Sequence, residues 1–390
     1  MNADFHFYAT FAAARLAGFD NDDATMIAQA NQAVDLYDDS IEKSCDTKYA
    51  TILNSRGITN RPPVEAFSST GMLKSMTDKT HALRVWAYYH FLPCMDPFLY
   101  QDFVSSAAFD DPAVFQKYKA LCHPEGQIKK TLMEDVLSQG SVTKDLLVRI
   151  GLELHVLNDT WAHRDFAGIN DETLNDVSTT TYDKTEKLGA FDFGSSYVPL
   201  AKLSLGHGRI GGWCDDGFRV FAYIPAWRTR SEAKKTFYIR DNTDGFEKAF
   251  GEMYDLLCRF RNGKSLNDRI DQTDAKIYAA ICPVVKKIIA FDPGKKSDNA
   301  PFETTEACWE LFARKIRNIT DRNVFADPTA VANDIDPFIL SQNDRKMIAM
   351  FEISSWTEAA DNSAIIAFIK AQNDHFNLVD PLCSEILKSA

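Results

Sequence analysis

The segment VTKDLLVRIGLELHVLNDTWAH, Val142–His163, carries apolar residues at helical spacing along its whole length and reads as one long helix. On it His155, Asp159 and His163 fall at four-residue intervals. Residues four apart drift only about 40° around a helix, so the three share one face within about 80°. Val148 and Leu152 lie on that face one and two turns earlier, while Ile150, Leu154, Leu157 and Trp161 form a second apolar face. Both faces are expected to be buried, which leaves only Arg149, Glu153 and Thr160 for water. A carboxylate turned into a core is costly unless something neutralises it, and a cation would do so. The spacing admits a metal site, a buried His/Asp hydrogen-bond network or a partly solvated polar face.

The chain around this element also reads as helical. DFHFYATFAAARLAGF has helical spacing and stops near Gly18, and a second helix follows the acidic DNDDA through TMIAQANQAVDLYDD. The stretch between Asp39 and Lys79 reads as mostly loop, and THALRVWAYYHFL resumes as a helix ending near Pro93. Asn170–Tyr197 is polar and turn-rich and is expected to be irregular. GHGRIGGWCDDGF suits a tight turn or helix start, RVFAYIPAWRT a short extended piece, and Asp244 with Glu247 a capping box. RNGKS, Arg261–Ser265, is the expected boundary between a helical metal-binding domain, 1–264, and a helical C-terminal region, 265–390. Beyond it DAKIYAAICPVVKKIIAF, TTEACWELFARKIRNI, DRKMIAMFEISSWTEAA and SAIIAFIKAQNDHF read as amphipathic helices, a lid or an interaction module through which a protein partner or a second copy could dock.

With 390 residues, 45% hydrophobic, the chain can bury a sizeable core. Its formal charge of -12 and lack of Lys/Arg runs argue against double-stranded nucleic acid as a partner. No run approaches the roughly 18 apolar residues of a membrane span, and no basic leader precedes an apolar stretch. A cytoplasmic protein is expected, with delivery by a signal-free secretion route as the other option. The eight cysteines are scattered without a CxxC pair, which suits reduced, buried thiols.

Other residues could join the helix. His6 sits on the first helix, Asp35 near the end of the second, and His207 among glycines that permit close approach. Taken singly, each reads as a packing histidine, a helix-end acid and a turn histidine. His81 and His90 are nine residues apart and would lie on opposite sides of a continuous helix, so only one can face the site, and His90 is preferred. His123 and His375 sit in loop-like contexts and receive no role.

Taken in order, FHFYATFAAARLAGF, IAQANQAVD, YHFLP, LHVLNDTWAHRDFAGI and GHGRIGG resemble an uncharacterised bacterial family whose motif pattern is similar to zinc-dependent phospholipase C. The resemblance covers roughly the first two-thirds of the chain. The wider superfamily, which includes fungal single-strand-specific nucleases, is a helical fold holding up to three zinc ions on His and Asp ligands. The resemblance therefore implies a mainly α multi-helix bundle of the zinc-dependent phospholipase C type, with an additional helical C-terminal region. It implies a metal set of His6, Asp35, His90, His155, Asp159, His163 and His207. His155 and Asp159 match the family's His-x-x-x-Asp pair, with Asp159 in the bridging, catalytic position. The phospholipases have a longer interval than the four residues between Asp159 and His163, and Gly211 stands where the last acid is expected, so Asp215 or Asp216 is the expected substitute. No secretory leader is visible, unlike the phospholipases.

The implied activity is metal-dependent hydrolysis of a phosphoric ester, phosphodiesterase or phospholipase C-like. It would use two or three zinc ions, or another divalent metal, and a metal-bound hydroxide acting on a small-molecule or lipid phosphoester. The alternative is a non-catalytic helical interaction protein whose core is locked by a structural metal or a His/Asp network. The adjacent HRD, His163–Asp165, is a single tripeptide and carries little specificity.

Overall fold

In the computed structural model, which describes residues 1–36, 83–103, 110–177, 182–183, 204–228, 238–294, 302–339 and 362–389, the chain starts as π-helical turns over Asp4–Ala9. These tighten into α1, Thr10–Ala17, which stops where Gly18 adopts a left-handed φ of 101°. Helix α2, Asn21–Leu36, opens with Asp22 and Asp23 at the positive end of its dipole. A second π-helical stretch, Leu83–His90, ends ahead of Pro93. Next come α3, Gln127–Ser138, and α4, Lys144–Ala162, the latter capped by Thr143, whose hydroxyl accepts from Leu146 N at 3.3 Å. Among the described residues four long helices follow: α5, Asn242–Asn262, α6, Gln272–Ile289, α7, Thr305–Arg317, and α8, Asn362–Ser389. Among the described residues the only sheet is small and antiparallel. It runs β1, Tyr182–Asp183, β2, Val220–Tyr223, and β3, Tyr238–Asp241, with Ala222 opposite Tyr182 and Val220 opposite Asp241. The fold is mainly α.

Helix α4 is the shared wall of two apolar cores. Ile150, Leu154 and Leu157 face the larger, with Phe5, Phe250, Leu257, Ile281 and Trp309. Val148, Leu152 and Val156 face the second, with Val34 of α2, Tyr89 of the π-helix, and Phe368 and Val379 of α8. Each fully buried side chain of this size contributes about 1.5–3 kcal/mol, so both faces anchor the helix. The chain on both sides of Gly263 feeds the larger core, through Cys258 of α5 and through α6 and α7. Helices α2 and α4 approach closely at Gly151, where an added methyl would run into the Ile27 carbonyl and lie 2.7 Å from Ala30 Cβ. Only hydrogen fits there.

The strip Arg149, Glu153 and Thr160 does not face water; all three are buried. Helix α8 covers its first two members: the Ala371 carbonyl accepts from Arg149 Nη1 at 3.1 Å, and His375 meets Glu153. Arg149 and Glu153 also pair with each other at 2.7 Å, which lets two charged side chains enter the core. Trp161, expected on a buried face, is half-buried. The start of α5 is capped by Asp241, which accepts from Thr243 N at 2.9 Å, rather than by an Asp244/Glu247 box; Glu247 turns to Lys286. Within the polar stretch after Gly168, a short helix, Glu172–Asn175, buries Leu174 and Asn175, and β1 joins the sheet. The loop expected over 39–79, His81, and the helix expected over 344–360 lie outside the described residues. No described helix is long and apolar enough to cross a membrane. The described cysteines are free thiols, buried except for the half-buried Cys282.

Candidate metal centre

The π-helical turns deliver His6, the last turn of α2 delivers Asp35, and His90 is the final residue of the second π-helical stretch. Helix α4 contributes His155 and Asp159 and ends with His163 as its C-cap. His207 precedes and Asp215 follows a 3-10 turn, Gly211–Cys214. All seven sequence-derived candidates and Asp215 converge. Asp159, 1% exposed, is the hub. Its Oδ1 faces His6 Nε2 at 3.2 Å and accepts from the Met1 amino group at 2.6 Å. Its Oδ2 faces His90 Nδ1 at 3.0 Å, His155 Nε2 at 3.3 Å and His163 Nδ1 at 3.5 Å. Asp35 Oδ1 lies 3.7 Å from His155 Nε2 and 3.9 Å from His90 Nδ1. Three groups could each hold an ion: His6, His155 and Asp159; Asp35, His90 and His155; and His163, His207 and Asp215.

The hydrogen bonds behind these rings decide which lone pairs face inward. Asn31 Nδ2 donates to Thr10 Oγ1 at 3.0 Å, so Asn31 Oδ1 is an acceptor, and His6 Nδ1 donates to it at 2.8 Å. His155 Nδ1 donates to the Asn31 carbonyl at 3.0 Å, His163 Nδ1 to the His90 carbonyl at 2.6 Å, and His207 Nδ1 to the Gly211 carbonyl at 2.9 Å. A neutral imidazole that donates from Nδ1 presents a lone pair at Nε2. Those of the neutral rings point at carboxylate oxygens, His6 and His155 at Asp159 and His207 at Asp215 Oδ2 at 3.6 Å, while His163 Nε2 forms a hydrogen bond with Asp215 Oδ1 at 3.1 Å. The buried His6 Nε2 makes no hydrogen bond. Lone pair against lone pair is repulsive unless a positive charge lies between them. Ligand atoms around a tetrahedral zinc stand roughly 3.3–3.4 Å apart, and the facing pairs here lie 3.2, 3.3 and 3.6 Å apart. The donor set therefore fits a divalent cation.

Electrostatics point the same way. Burial pushes His155 down to about 4 and His207 down to about 4, in each case against an aspartate that favours the proton. His6 is also lowered, by burial and by the nearby amine. Burial opposes ionisation of Asp159, but His163, the amine and His155 outweigh it and hold the carboxyl well below its usual range. Asp215 is held low as well: burial opposes its charge, and His207 and the amine overcome it. The amine, disfavoured by burial but surrounded by Asp159, Asp215 and Asp35, is raised to about 11. Neutral His6, His155 and His207 thus face two ionised carboxylates, Asp159 and Asp215, around one ammonium.

Three residues that organise the centre escaped the sequence reading. Asn31 bonds both His6 and His155, and its place four residues before Asp35 in IAQANQAVD was the available signal. Arg240, 1% exposed, caps α4 by donating to the Trp161, Ala162 and Arg164 carbonyls. It also donates to Asn242 Oδ1 at 2.9 Å, and Asn242 Nδ2 in turn holds the Trp213, Cys214 and Asp216 carbonyls around Asp215. Nothing local in the sequence announces that brace. Asp216 stays outside the centre and pairs with Arg219 at 3.2 Å. His123 accepts from Glu125 N away from the cluster. His375 is no loop residue; it is fully buried in α8.

One family spans the ligand elements and the greater part of the C-terminal helix. The chain belongs to DUF6765, a family of unknown function. The DUF6765 match covers residues 1–380 and therefore takes in every residue of the cluster. No curated protein and no solved structure matches this DUF6765 member.

Proposed function

We propose that this protein is a metal-dependent hydrolase of phosphoric esters, phosphodiesterase or phospholipase C-like, with zinc the first choice among divalent metals. The supporting observation is the convergence of His6, His155 and His207 Nε2 lone pairs on the oxygens of Asp159 and Asp215. His6, His155 and Asp159, then Asp35 and His90 with His155, then His163, His207 and Asp215, would hold two or three ions. When bound, such ions supply a nucleophilic hydroxide at neutral pH and offset the charge that builds on phosphate oxygens. Asp159 would be shared between neighbouring ion groups, since one of its oxygens faces His6 and the other faces His90 and His155. Asn31 and the His90 and Gly211 carbonyls keep the ring protons on Nδ1. Phe91 stacks on His163 at 4.4 Å, and substrate would approach from the side of His207 and Asp215, whose side chains are 15% and 18% exposed. A bundle of the phospholipase C type over 1–264, a C-terminal region over 265–390, and a small-molecule or lipid phosphoester substrate belong to the same proposal.

Elemental analysis of the purified chain should find two or three divalent ions, and a generic phosphodiester should be cleaved. Asp159→Asn should remove at least 100-fold of that turnover while the helical circular dichroism persists, consistent with losing about 3 kcal/mol of transition-state stabilisation. The near-complete burial of His6, His155 and Asp159 favours a second reading for that group alone, a closed structural ion in a non-catalytic protein. One tightly held ion, no hydrolysis and unfolding on chelation would select it.

A further inference from the structure

We propose that α8 is a clamp on the cation centre and that His375 is its positioning residue; this rests on the metal reading above. The His375 ring is fully buried and has an acceptor at each end. Nδ1 lies 3.0 and 3.1 Å from the two Glu153 oxygens, and Nε2 lies 3.0 Å from the Tyr88 carbonyl. The ring therefore ties the two segments together through both of its nitrogens. Glu153 stands two residues before His155 on α4, and Tyr88 stands two residues before His90 on the π-helical stretch. His375 thus joins the two elements whose imidazoles must meet, with His155 Nε2 and His90 Nδ1 3.3 Å apart.

The same helix reinforces the join on both sides. Tyr89 Oη donates to the Gln372 carbonyl at 3.3 Å, Tyr88 Oη donates to Asp380 at 2.8 Å, and Arg149 donates to the Ala371 carbonyl. A helix that needed only to be packed would be held at least as well by apolar side chains, because buried charges carry a desolvation cost. Directional bonds add position, and a ligand set tolerates errors of only about 0.5 Å. Coupling of this kind is reciprocal: if docking of α8 raises metal affinity, metal must tighten the docking of α8.

The full chain, stripped by chelator and titrated with cobalt(II), tests this through dialysis affinity and the visible d–d spectrum. His375→Gln should weaken cobalt binding about 10–100-fold and alter the spectrum. Asp274→Asn, which weakens a part-buried pair with Arg322 away from the centre, should lower the melting temperature yet leave both readouts unchanged. Wild-type affinity and spectrum in His375→Gln overturn the clamp while the metal reading stands, and a wild-type chain that binds no cobalt overturns both. Should His375→Gln fail to fold, hydrogen exchange on the wild-type chain decides. Slower exchange across 362–389 on cobalt loading is expected, and unchanged exchange overturns the clamp.

Discussion

Asn31 is the residue on which two imidazoles depend: its amide oxygen receives the His6 proton and its backbone carbonyl the His155 proton. Outer partners of this kind orient a ligand and fix its tautomer. Asn31→Ala removes only the first contact, so metal affinity in a chelator competition should fall about 10–100-fold with the fold intact; an unchanged affinity contradicts the assignment. Glu153 yields a pH prediction. Burial opposes its charge, but Arg149 and His375 outweigh it and hold the carboxyl below its ordinary value of 4.5. Because the folded value lies below the unfolded one, the stabilisation is complete above pH 4.5 and is lost as pH falls through the folded value. Glu153→Gln should therefore be less stable than wild type near neutrality, with the gap in urea midpoint narrowing below pH 4.5. A gap of constant size would contradict it. At this scale the ligand types were legible, since His155, Asp159 and His163 recur at helical spacing. Glu153 was misread as a water-facing residue because its partner lies 222 positions away.

Helix α4 was legible as an element because both its apolar faces are written in one continuous segment, and its two cores match those faces. Its neighbours were not. Gly151 admits α2 against α4, which brings Asn31 and Asp35 to His155. Gly151→Ala should cost about 1–3 kcal/mol in urea unfolding, as overpacking does, and should also reduce bound metal by moving α2 outward. A stable variant with full metal content would show that the approach is not needed. The end of α4 likewise depends on Arg240, which reaches it from β3 across 76 residues or more, a pairing that no helix-stop signal encodes.

For the whole molecule, the two larger apolar cores contain none of the ligands, while a third, smaller cluster with Phe91 and Phe166 packs against His163 and His207. Ions bound at about 1,000 times their Kd would add roughly 4 kcal/mol to unfolding. Chelation should then lower the melting temperature by several degrees while the helical spectrum survives, and reloading should restore it. Complete unfolding on chelation would instead indicate an ion that holds the fold together.

By itself the sequence determined the mainly α class, the face of α4 that carries His155, Asp159 and His163, and the burial of that face, because helical periodicity is local covalent geometry. Only the tertiary structure decided that Asp215 rather than Asp216 completes the third group, that α8 covers Arg149 and Glu153, and that Asn31, Arg240 and His375 brace the ligand elements. Those outcomes rest on directional contacts between segments far apart in the chain, and such contacts leave no periodic trace in either segment.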